Sequence, residues 1–483
     1  MTWKSLIAPI DSAQLLSALT YVAAAGYPLA AFWAGGHALL NARDPRAAWG
    51  WIAVCLLFPL AGALLYYLFG INRVRRRARS LLDVPAVPGA RGHPRSLPPI
   101  PDSFQALSAT GDVLTGRPAL SGNRIEALFN GEQAYPAMLE AIANAKHSVW
   151  LASYIFRNDA TGKRFMRALA EAVQRGVTVR VLVDGIGAVY GLSFPVFWLR
   201  RHGVRAVRFL PPRLIPPMLH INLRNHRKLL MVDGEMAFTG GLNIAEYHIV
   251  SEATVRKPVV DVHFRIRGPV VDQLARAFAE DWRMAAGEAL VLHNVPAAEP
   301  NGAIARLITD GPDDDLDKLA FMILAAVGVA QRSVRIMTPY FLPSPELTAA
   351  LQAAALRGVE VTIVLPARSN LRFVDWATQN MLQPLLSSGV RVIQQPPPFA
   401  HSKLFVVDEH YVQLGTANID PRSLRLNFEL AVEAYDPALA AQLVERFHAV
   451  ERRGHEIQAS ALRARPLPVR LRDAFFWLFS SYL

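Results

Sequence analysis

The sequence holds 483 residues, of which 52% are hydrophobic, and it carries a formal net charge of +12. This apolar content excludes a globally disordered chain and is sufficient for two or three domains with their own cores. The positive charge predicts an anionic partner, which is a nucleic acid, a membrane surface or a phosphorylated substrate. The single cysteine, Cys55, excludes an intramolecular disulfide framework and argues against a structural zinc site.

Two apolar segments near the N-terminus predict a transmembrane helical hairpin over residues 1–75. Residues 13–40 and 47–71 contain no Asp, Glu, Lys or Arg, and each exceeds the roughly 18 to 20 residues that cross a hydrocarbon core. The polar residues 41–46 between them form the predicted tip of the hairpin. A cleaved signal peptide is the alternative, but the first apolar segment is too long for one.

The arginine-rich stretch 73–79 follows the second apolar segment directly, whereas the tip of the hairpin has only two arginines. The positive-inside rule then places this stretch and all later residues on the cytoplasmic side of the membrane. The stretch either sets the topology alone or also binds anionic lipid headgroups. Residues 76–123 are predicted to be a basic linker that is rich in proline between residues 84 and 101.

Beyond this linker the chain contains an internal repeat. Residues 175–183 match residues 357–365, and in both copies a helix that ends at glycine leads into a β-branched strand. This order is typical of α/β structure. We therefore expect two pseudo-symmetric α/β lobes, each a sheet flanked by helices, over residues 124–290 and 291–460.

Each repeat contains one His-x-Lys-x4-Asp motif, and the downstream residues stay in register with it. A single copy of this motif is a weak signal, whereas two copies within one repeat strongly favour a shared site. The motif residues are His226, Lys228 and Asp233 in the first copy, and His401, Lys403 and Asp408 in the second. The supporting residues in register are Gly240, Asn243 and Asp261 in the first copy, and Gly415, Asn418 and Glu429 in the second.

These residue types suit displacement at phosphorus. Alternate residues of a strand share one face, so each motif presents a histidine beside a phosphate-binding lysine. One imidazole can act as the nucleophile and the other as the acid and base, while a downstream carboxylate in each copy, Asp261 or Glu429, orients the ring. The lysines, together with Asn243 and Asn418, can donate to the nonbridging oxygens, and this chemistry requires no metal or cofactor.

Two roles are open for the motif aspartates. Asp233 and Asp408 lie five residues after the lysines, and this odd spacing turns them to the other face of the strand or into the following turn. They are candidate catalytic residues, and the alternative is that they hold the loops that follow.

On these residues the sequence resembles the phospholipase D superfamily, and within it the bacterial cardiolipin synthases. The most specific matches are the run 225–228, the Gly-Gly-Leu-Asn-Ile run 240–244 and the run 415–429. The resemblance implies transfer of a phosphatidyl group from one phosphatidylglycerol to another, with release of glycerol. It also implies that His226 is the nucleophile and that His401 is the general acid and base.

The C-terminal segment 461–483 is predicted to be an amphipathic tail that either docks on the lipid interface or packs against the catalytic core. Besides another phosphatidyltransferase, three other functions remain open. A phospholipase D hydrolase would use water as the acceptor, and a nucleic-acid phosphodiesterase would also fit the positive charge. The third is a membrane scaffold without activity, which two intact motifs disfavour. The expected partners are phosphatidylglycerol and anionic membrane lipids, and no nucleic acid.

Overall fold

The computed structural model of the chain describes residues 12–41, 45–67, 100–188, 194–211, 223–252, 255–292, 296–312 and 315–480. They belong to two compact units, one within residues 1–80 and the other within residues 81–483. The arginine-rich stretch 73–79 and nearly all of the proline-rich stretch 84–101 lie outside the described residues, so their predicted roles stay predictions.

The N-terminal unit consists of helices α1 (Ser12–Asn41), α2 (Pro45–Leu57) and α3 (Pro59–Leu65). The second apolar segment, 47–71, does not form one helix, because Pro59 lacks the backbone N–H that would continue α2 and instead begins α3. Within the described ranges, no helix combines the length and the apolarity that crossing a bilayer requires. The two predicted spans are therefore not confirmed.

The second unit contains a mixed sheet with helices on its faces, and the predicted α/β fold is confirmed. Its strands are β1 (Leu120–Phe129), β2 (Ser148–Ser153), β3 (Thr178–Asp184), β4 (Arg205–Phe209), β5 (Leu229–Val232), β6 (Met236–Gly240), β7 (Val259–Val260), β8 (Val262–Arg267), β9 (Ala303–Asp310), β10 (Ser333–Met337), β11 (Glu360–Pro366), β12 (Arg391–Gln395), β13 (Phe399–Ala400), β14 (Leu404–Val407), β15 (Tyr411–Gly415), β16 (Glu429–Tyr435) and β17 (His455–Glu456). Its α-helices are α4 (Asp102–Thr115), α5 (Asn130–Asn144), α6 (Ala160–Gln174), α7 (Phe194–Arg201), α8 (Val270–Ala286), α9 (Lys318–Val329), α10 (Pro345–Leu356), α11 (Arg372–Ser387), α12 (Pro421–Arg425), α13 (Pro437–Glu451), α14 (Ala459–Arg463) and α15 (Leu467–Trp477).

The two repeats share one sheet of 15 strands. Its order is β17-β12-β11-β10-β14-β15-β16-β9-β1-β8-β6-β5-β2-β3-β4. Read outward from the antiparallel pair β1 and β9, the first lobe runs β1-β8-β6-β5-β2-β3-β4 and the second runs β9-β16-β15-β14-β10-β11-β12. Corresponding strands therefore hold the same place in each half, as the internal repeat predicts.

Each half has its own apolar core. In the first half, α5 and α6 pack on the sheet through buried residues such as Met138, Phe165 and Leu169. In the second half, α9, α10 and α11 pack through residues such as Met322 and Leu351.

One helix lies inside the predicted linker. Helix α4 spans residues 102–115, and β1 begins at Leu120 rather than at residue 124. The buried guanidinium of Arg306 donates to the Ser108 carbonyl of α4 and to the Glu433 carboxylate of β16. The linker prediction was wrong for this part because the pairing of Arg306 with α4 joins positions far apart in the sequence.

Candidate active site

The segment that carries His226 is held by the second lobe. The backbone N–H of His226 donates to the Phe428 carbonyl at 3.0 Å, and the N–H of Phe428 donates to the Arg224 carbonyl at 2.8 Å. Asn225 and Phe428 thus form a parallel bridge. Because Phe428 immediately precedes Glu429, this pairing brings the Glu429 carboxylate to the His226 ring.

The segment that carries His401 is held by the first lobe in the same way. Strand β13 pairs in parallel with β7, and Ala400 lies opposite Val260. The N–H of His401 then donates to the Val260 carbonyl at 2.8 Å. Because Asp261 is the next residue, its carboxylate is brought to the His401 ring.

Each histidine therefore binds the carboxylate of the opposite lobe. The Nδ1 atom of His226 lies 2.9 and 3.0 Å from the two oxygens of Glu429. The Nδ1 atom of His401 lies 2.9 Å from Oδ2 of Asp261. The prediction that each histidine uses the carboxylate downstream in its own repeat was wrong, because two short backbone pairings cross between the lobes.

The two carboxylates are fully buried and are themselves fixed in place. The hydroxyl of Thr416 donates to Glu429 at 2.6 Å, and the amide of Asn427 donates to its other oxygen at 3.1 Å. Asp261 accepts from a backbone N–H at 2.8 Å. A β-carbon at Gly241 would lie 2.2 Å from both oxygens of Asp261, so the close approach of this backbone requires glycine.

The motif lysines lie beside the histidines. Nζ of Lys228 donates to the His226 carbonyl at 2.8 Å, and Nζ of Lys403 donates to the His401 carbonyl at 2.6 Å and lies 2.9 Å from Nδ1 of that ring. Burial lowers the pKa of Lys228 to about 7 and that of Lys403 to about 8. Both pKa values therefore lie near neutral pH, so an anionic ligand favours the protonated form of each lysine.

The two imidazoles are neutral near pH 7. Burial lowers the pKa of His226, although the Glu429 carboxylate acts in the opposite direction. Burial, followed by the charges of Lys403 and Lys228, holds the pKa of His401 well below its usual value. A neutral His226 that donates its Nδ1 hydrogen to Glu429 leaves a lone pair on Nε2.

The four motif side chains act on one another across the lobes. The pKa of His226 is lowered by Lys403 of the second lobe, and that of His401 is lowered by Lys228 of the first. The two motifs thus form one site with two cationic donors and two imidazoles, which suits a phosphodiester. In the part of the chain that the structure describes, no group of His, Cys, Asp and Glu is arranged to hold a metal ion.

Comparison with known proteins assigns the family. A family model described as "Cardiolipin synthase, PLD-like domain" matches residues 138–282 and 323–450, which contain one motif each. Cardiolipin synthase 2 of Bacillus anthracis is 31% identical over 470 residues, which cover 95% of this chain and 91% of that protein. The chain belongs to the cardiolipin synthase family of the phospholipase D superfamily. As a member of this family it is a phosphatidyltransferase.

Other comparisons agree with this family. The major cardiolipin synthase ClsA of Bacillus subtilis is 31% identical over 456 residues, which cover 91% of this chain and 94% of that protein. A model described as "Phospholipase_D-nuclease N-terminal" matches residues 29–70. The crystal structure of the phosphatidylserine synthase of Haemophilus influenzae aligns with a TM-score of 0.60 at 17% identity, covering 78% of this chain and all of that one, and so shares the fold.

In this cardiolipin synthase family member, the motif aspartates lie away from the histidines. Asp233 follows β5 and accepts hydrogen bonds from the backbone N–H groups of residues 146–148 at 2.7 to 2.9 Å. Asp408 follows β14 and binds the N–H groups of residues 331–333 at 2.7 to 2.8 Å. Five residues of strand separate each aspartate from its lysine by roughly 16 Å. These contacts show that each aspartate fixes the turn before β2 or β10, and a catalytic role stays a prediction for both.

The two predicted asparagines are buried at the ends of β6 and β15. Asn243 accepts from the Ile155 N–H at 3.2 Å and donates to the Tyr247 hydroxyl at 3.3 Å. Asn418 donates to the Ser423 hydroxyl at 3.1 Å. These bonds hold the loops around the site, and contact with a phosphate remains a prediction for both residues.

Sequence reasoning missed a buried ion-pair network behind His226. Arg227 donates to Asp281 of α8 at 2.8 Å, and the amide of Asn225 donates to the same carboxylate at 2.8 Å. The Asn225 N–H donates to Asp184 at 2.9 Å. The available signal was Arg227 itself, because a charged residue between two inward-facing motif residues needs a buried partner.

Two tyrosines beside the histidines were also not assigned a role. The ring of Tyr154 lies 5.0 Å from that of His226, edge to face. The ring of Tyr340 lies 6.3 Å from that of His401, and its hydroxyl donates to Asn370 at 2.6 Å.

Proposed function

We propose that the chain transfers a phosphatidyl group from one phosphatidylglycerol to a second, which gives cardiolipin and glycerol. The observation that carries this proposal is the pair of crossed histidine–carboxylate contacts, His226 with Glu429 and His401 with Asp261, beside two buried lysines. Such a site has a nucleophile on one side of a phosphodiester and an acid on the other. The curated relatives are named as cardiolipin synthases, and this supports the choice of lipids.

In the first step, Nε2 of His226 attacks the phosphorus of phosphatidylglycerol. A phosphorus–nitrogen bond forms, and the bond from phosphorus to the headgroup glycerol oxygen breaks. Glu429 holds the Nδ1 hydrogen and stabilises the positive charge that develops on the ring. His401 gives its proton to the departing oxygen, and glycerol leaves.

His401 must take up a proton before it can act as the acid. Its buried position and the neighbouring Lys403 keep its pKa well below the usual value. The negative charge of a bound phosphodiester acts in the opposite direction and raises this pKa. Substrate binding thus favours the protonated form of His401, which is the form that acts as the acid.

In the second step, a glycerol hydroxyl of another phosphatidylglycerol attacks the phosphorus of the phosphatidyl-histidine. His401, now neutral, takes the hydroxyl proton as the general base. The phosphorus–nitrogen bond breaks, His226 is regenerated, and the product is cardiolipin. Lys228 and Lys403 stabilise the nonbridging oxygens in both steps.

The competing function is hydrolysis, in which water resolves the intermediate to phosphatidic acid. We propose the purified, detergent-solubilised chain with phosphatidylglycerol alone as the test, with cardiolipin, glycerol and phosphatidic acid measured together. Cardiolipin with an equal amount of glycerol supports the synthase, whereas phosphatidic acid as the main product identifies a hydrolase. A nuclease would instead cleave DNA or RNA, and a scaffold without activity would form no product.

The N-terminal unit is proposed to hold the enzyme in the bacterial inner membrane, with the catalytic lobes in the cytoplasm. Its described helices expose large apolar side chains, including Phe32, Leu40, Trp49 and Leu57. Such a surface is rare on a soluble domain and suits lipid contact. Retention in the membrane fraction after alkaline extraction tests insertion, and release would contradict it.

A further inference from the structure

The C-terminal helix α15 has two opposite apolar faces, and only one of them is covered. On the covered face, the Phe476 ring packs against Trp376 of α11 at 4.9 Å between centroids. The buried carboxylate of Asp473 binds Arg465 at 2.6 Å and Arg472 at 2.7 Å. The packing of Phe476 on α11 fixes the helix on the second unit and determines which face points outward.

The outward face is a stripe of large apolar side chains at helical spacing. Leu467, Leu471, Phe475 and Leu478 are 63, 61, 56 and 66% exposed. Residues spaced by three or four positions lie on one face of a helix, so these four form a continuous strip. We define this strip as the α15 stripe.

The charge around the stripe indicates what covers it. Residues 459–480 contain four arginines and one aspartate, which is a net charge of +3. The aspartate is paired with Arg465 and Arg472, whereas Arg463 and Arg470 are exposed. An apolar strip beside exposed arginines matches an anionic lipid surface, because the strip enters the acyl region while the arginines contact the headgroups.

The helix is linked to the catalytic site by packing. Trp477 of α15 packs against the cluster of Leu342 and Ala377, and Tyr340 packs against the same cluster. The Tyr340 ring lies 6.3 Å from the ring of His401. One apolar layer thus connects the covered face of α15 to the histidine that acts as acid and base.

We propose that the α15 stripe inserts into the anionic membrane surface and brings the His401 side of the site to the lipid. The identity of the delivered lipid rests on the proposed function, whereas the lipid contact itself does not. The helix would act as a second membrane contact, in addition to the proposed anchoring by the N-terminal unit.

Site-specific labelling of the full-length chain tests the contact directly. Cys55 is the single cysteine, so Cys55→Ser provides a background for a fluorophore at Leu471→Cys or Phe475→Cys. Exposed apolar positions on other helices, Val113→Cys and Leu356→Cys, are matched controls. The chain is reconstituted in phosphatidylglycerol-containing vesicles that carry lipids with a nitroxide on the acyl chain.

We expect quenching at positions 471 and 475 to be several-fold stronger than at the controls, since an interfacial helix lies about 5 to 10 Å deep. Replacing phosphatidylglycerol by phosphatidylcholine should weaken the quenching at positions 471 and 475. Equal quenching at all four positions would overturn the proposal. So would protection of position 471 that depends on protein concentration, because that result identifies a second copy of the chain as the occupant.

Activity provides an independent measurement. The variant Leu471→Glu/Phe475→Glu should lose roughly tenfold in rate on vesicles but keep its rate on short-chain phosphatidylglycerol in solution. Leu356→Glu is the matched control and should keep the native rate on both substrates. Equal loss on both substrates would contradict lipid delivery by the stripe. If the native chain forms no product from any lipid while the labels are still quenched, the proposed function fails and the lipid contact stands.

Discussion

The Nδ1 atom of His226 lies 2.9 Å from the carboxylate of Glu429, a residue 203 positions later in the other lobe. His401 makes the reciprocal contact with Asp261, 140 positions earlier. Neither lobe therefore contains a complete histidine–carboxylate pair of its own. The duplication yields a working site only when both halves are folded together on their shared sheet.

The crossed pairs predict which step each carboxylate affects. Glu429→Gln should slow formation of the phosphatidyl-enzyme by roughly 10²- to 10⁴-fold, because His226 loses its orienting partner. Asp261→Asn should instead impair the acid and base steps of His401. A phosphatidyl ester of p-nitrophenol separates these effects, because that leaving group needs no acid.

On this ester, release of nitrophenol in the first turnover should stay near the native rate for Asp261→Asn and fall for Glu429→Gln. Thermal unfolding of both variants serves as the control for folding. The reverse pattern, with Asp261→Asn alone slow, would mean that His401, the partner of Asp261, is the nucleophile.

The lysines predict an alkaline limit to activity. Lys228 and Lys403, with pKa values of about 7 and 8, bind phosphate only while protonated. As pH rises through these values both lose charge, so kcat/KM, which reports on the free enzyme, should fall. Lys228→Arg keeps its charge and should move the limit upward toward the pKa of Lys403. A pH profile of this variant that matches the native profile would contradict the assignment.

The motif aspartates predict a loss of stability. In Asp233→Asn the side chain no longer accepts three backbone hydrogen bonds as a carboxylate, which should cost about 1 to 3 kcal/mol of the free energy of unfolding. The unfolding midpoint should drop, while kcat of the folded enzyme stays near the native value. Asp408→Asn should behave alike because its contacts match. A kcat reduced a hundredfold or more, with unchanged unfolding, would instead support a catalytic role for Asp233.

The close approach of the backbone to Asp261 predicts that position 241 requires glycine. The new β-carbon of Gly241→Ala would lie 2.2 Å from the carboxylate oxygens, so Asp261 must move away from His401. We expect Gly241→Ala to show the same kinetic behaviour as Asp261→Asn, measured with the same nitrophenyl ester. Gly328→Ala, where a β-carbon meets nothing within 4 Å, is the control. Native turnover of phosphatidylglycerol by Gly241→Ala would show that the position of Asp261 is not critical.

The internal repeat allowed much of the fold to be predicted. Matched segments such as 175–183 and 357–365 contain the turns after α6 and α10 and most of β3 and β11, which lie at equivalent places in the sheet. The shared sheet was not predictable, because the pairing of β1 with β9 joins segments about 180 residues apart without any local pattern. Helix α4 was missed because the proline-rich composition before residue 102 obscured its start.

Four of the predicted catalytic residues lie together, but the contacts between the two lobes were not predicted. His226, Lys228, His401 and Lys403 form one cluster, as the duplicated motif indicates. The crossed pairing depends on β7 and β13, which have two residues each and show no periodicity. Composition alone also failed for the second apolar segment. It indicated one long helix, whereas Pro59 divides the segment into two helices.

The two-histidine mechanism is tested most directly by trapping the intermediate. The variant His401→Ala, given the nitrophenyl ester, retains the nucleophile but lacks the base that activates the acceptor. Alkaline quenching preserves a phosphorus–nitrogen bond, and mass spectrometry of the digested chain locates the phosphatidyl group. We predict the adduct on the peptide that contains His226 and none in His226→Ala. An adduct on the His401 peptide of the native chain, or none in either variant, would contradict the mechanism.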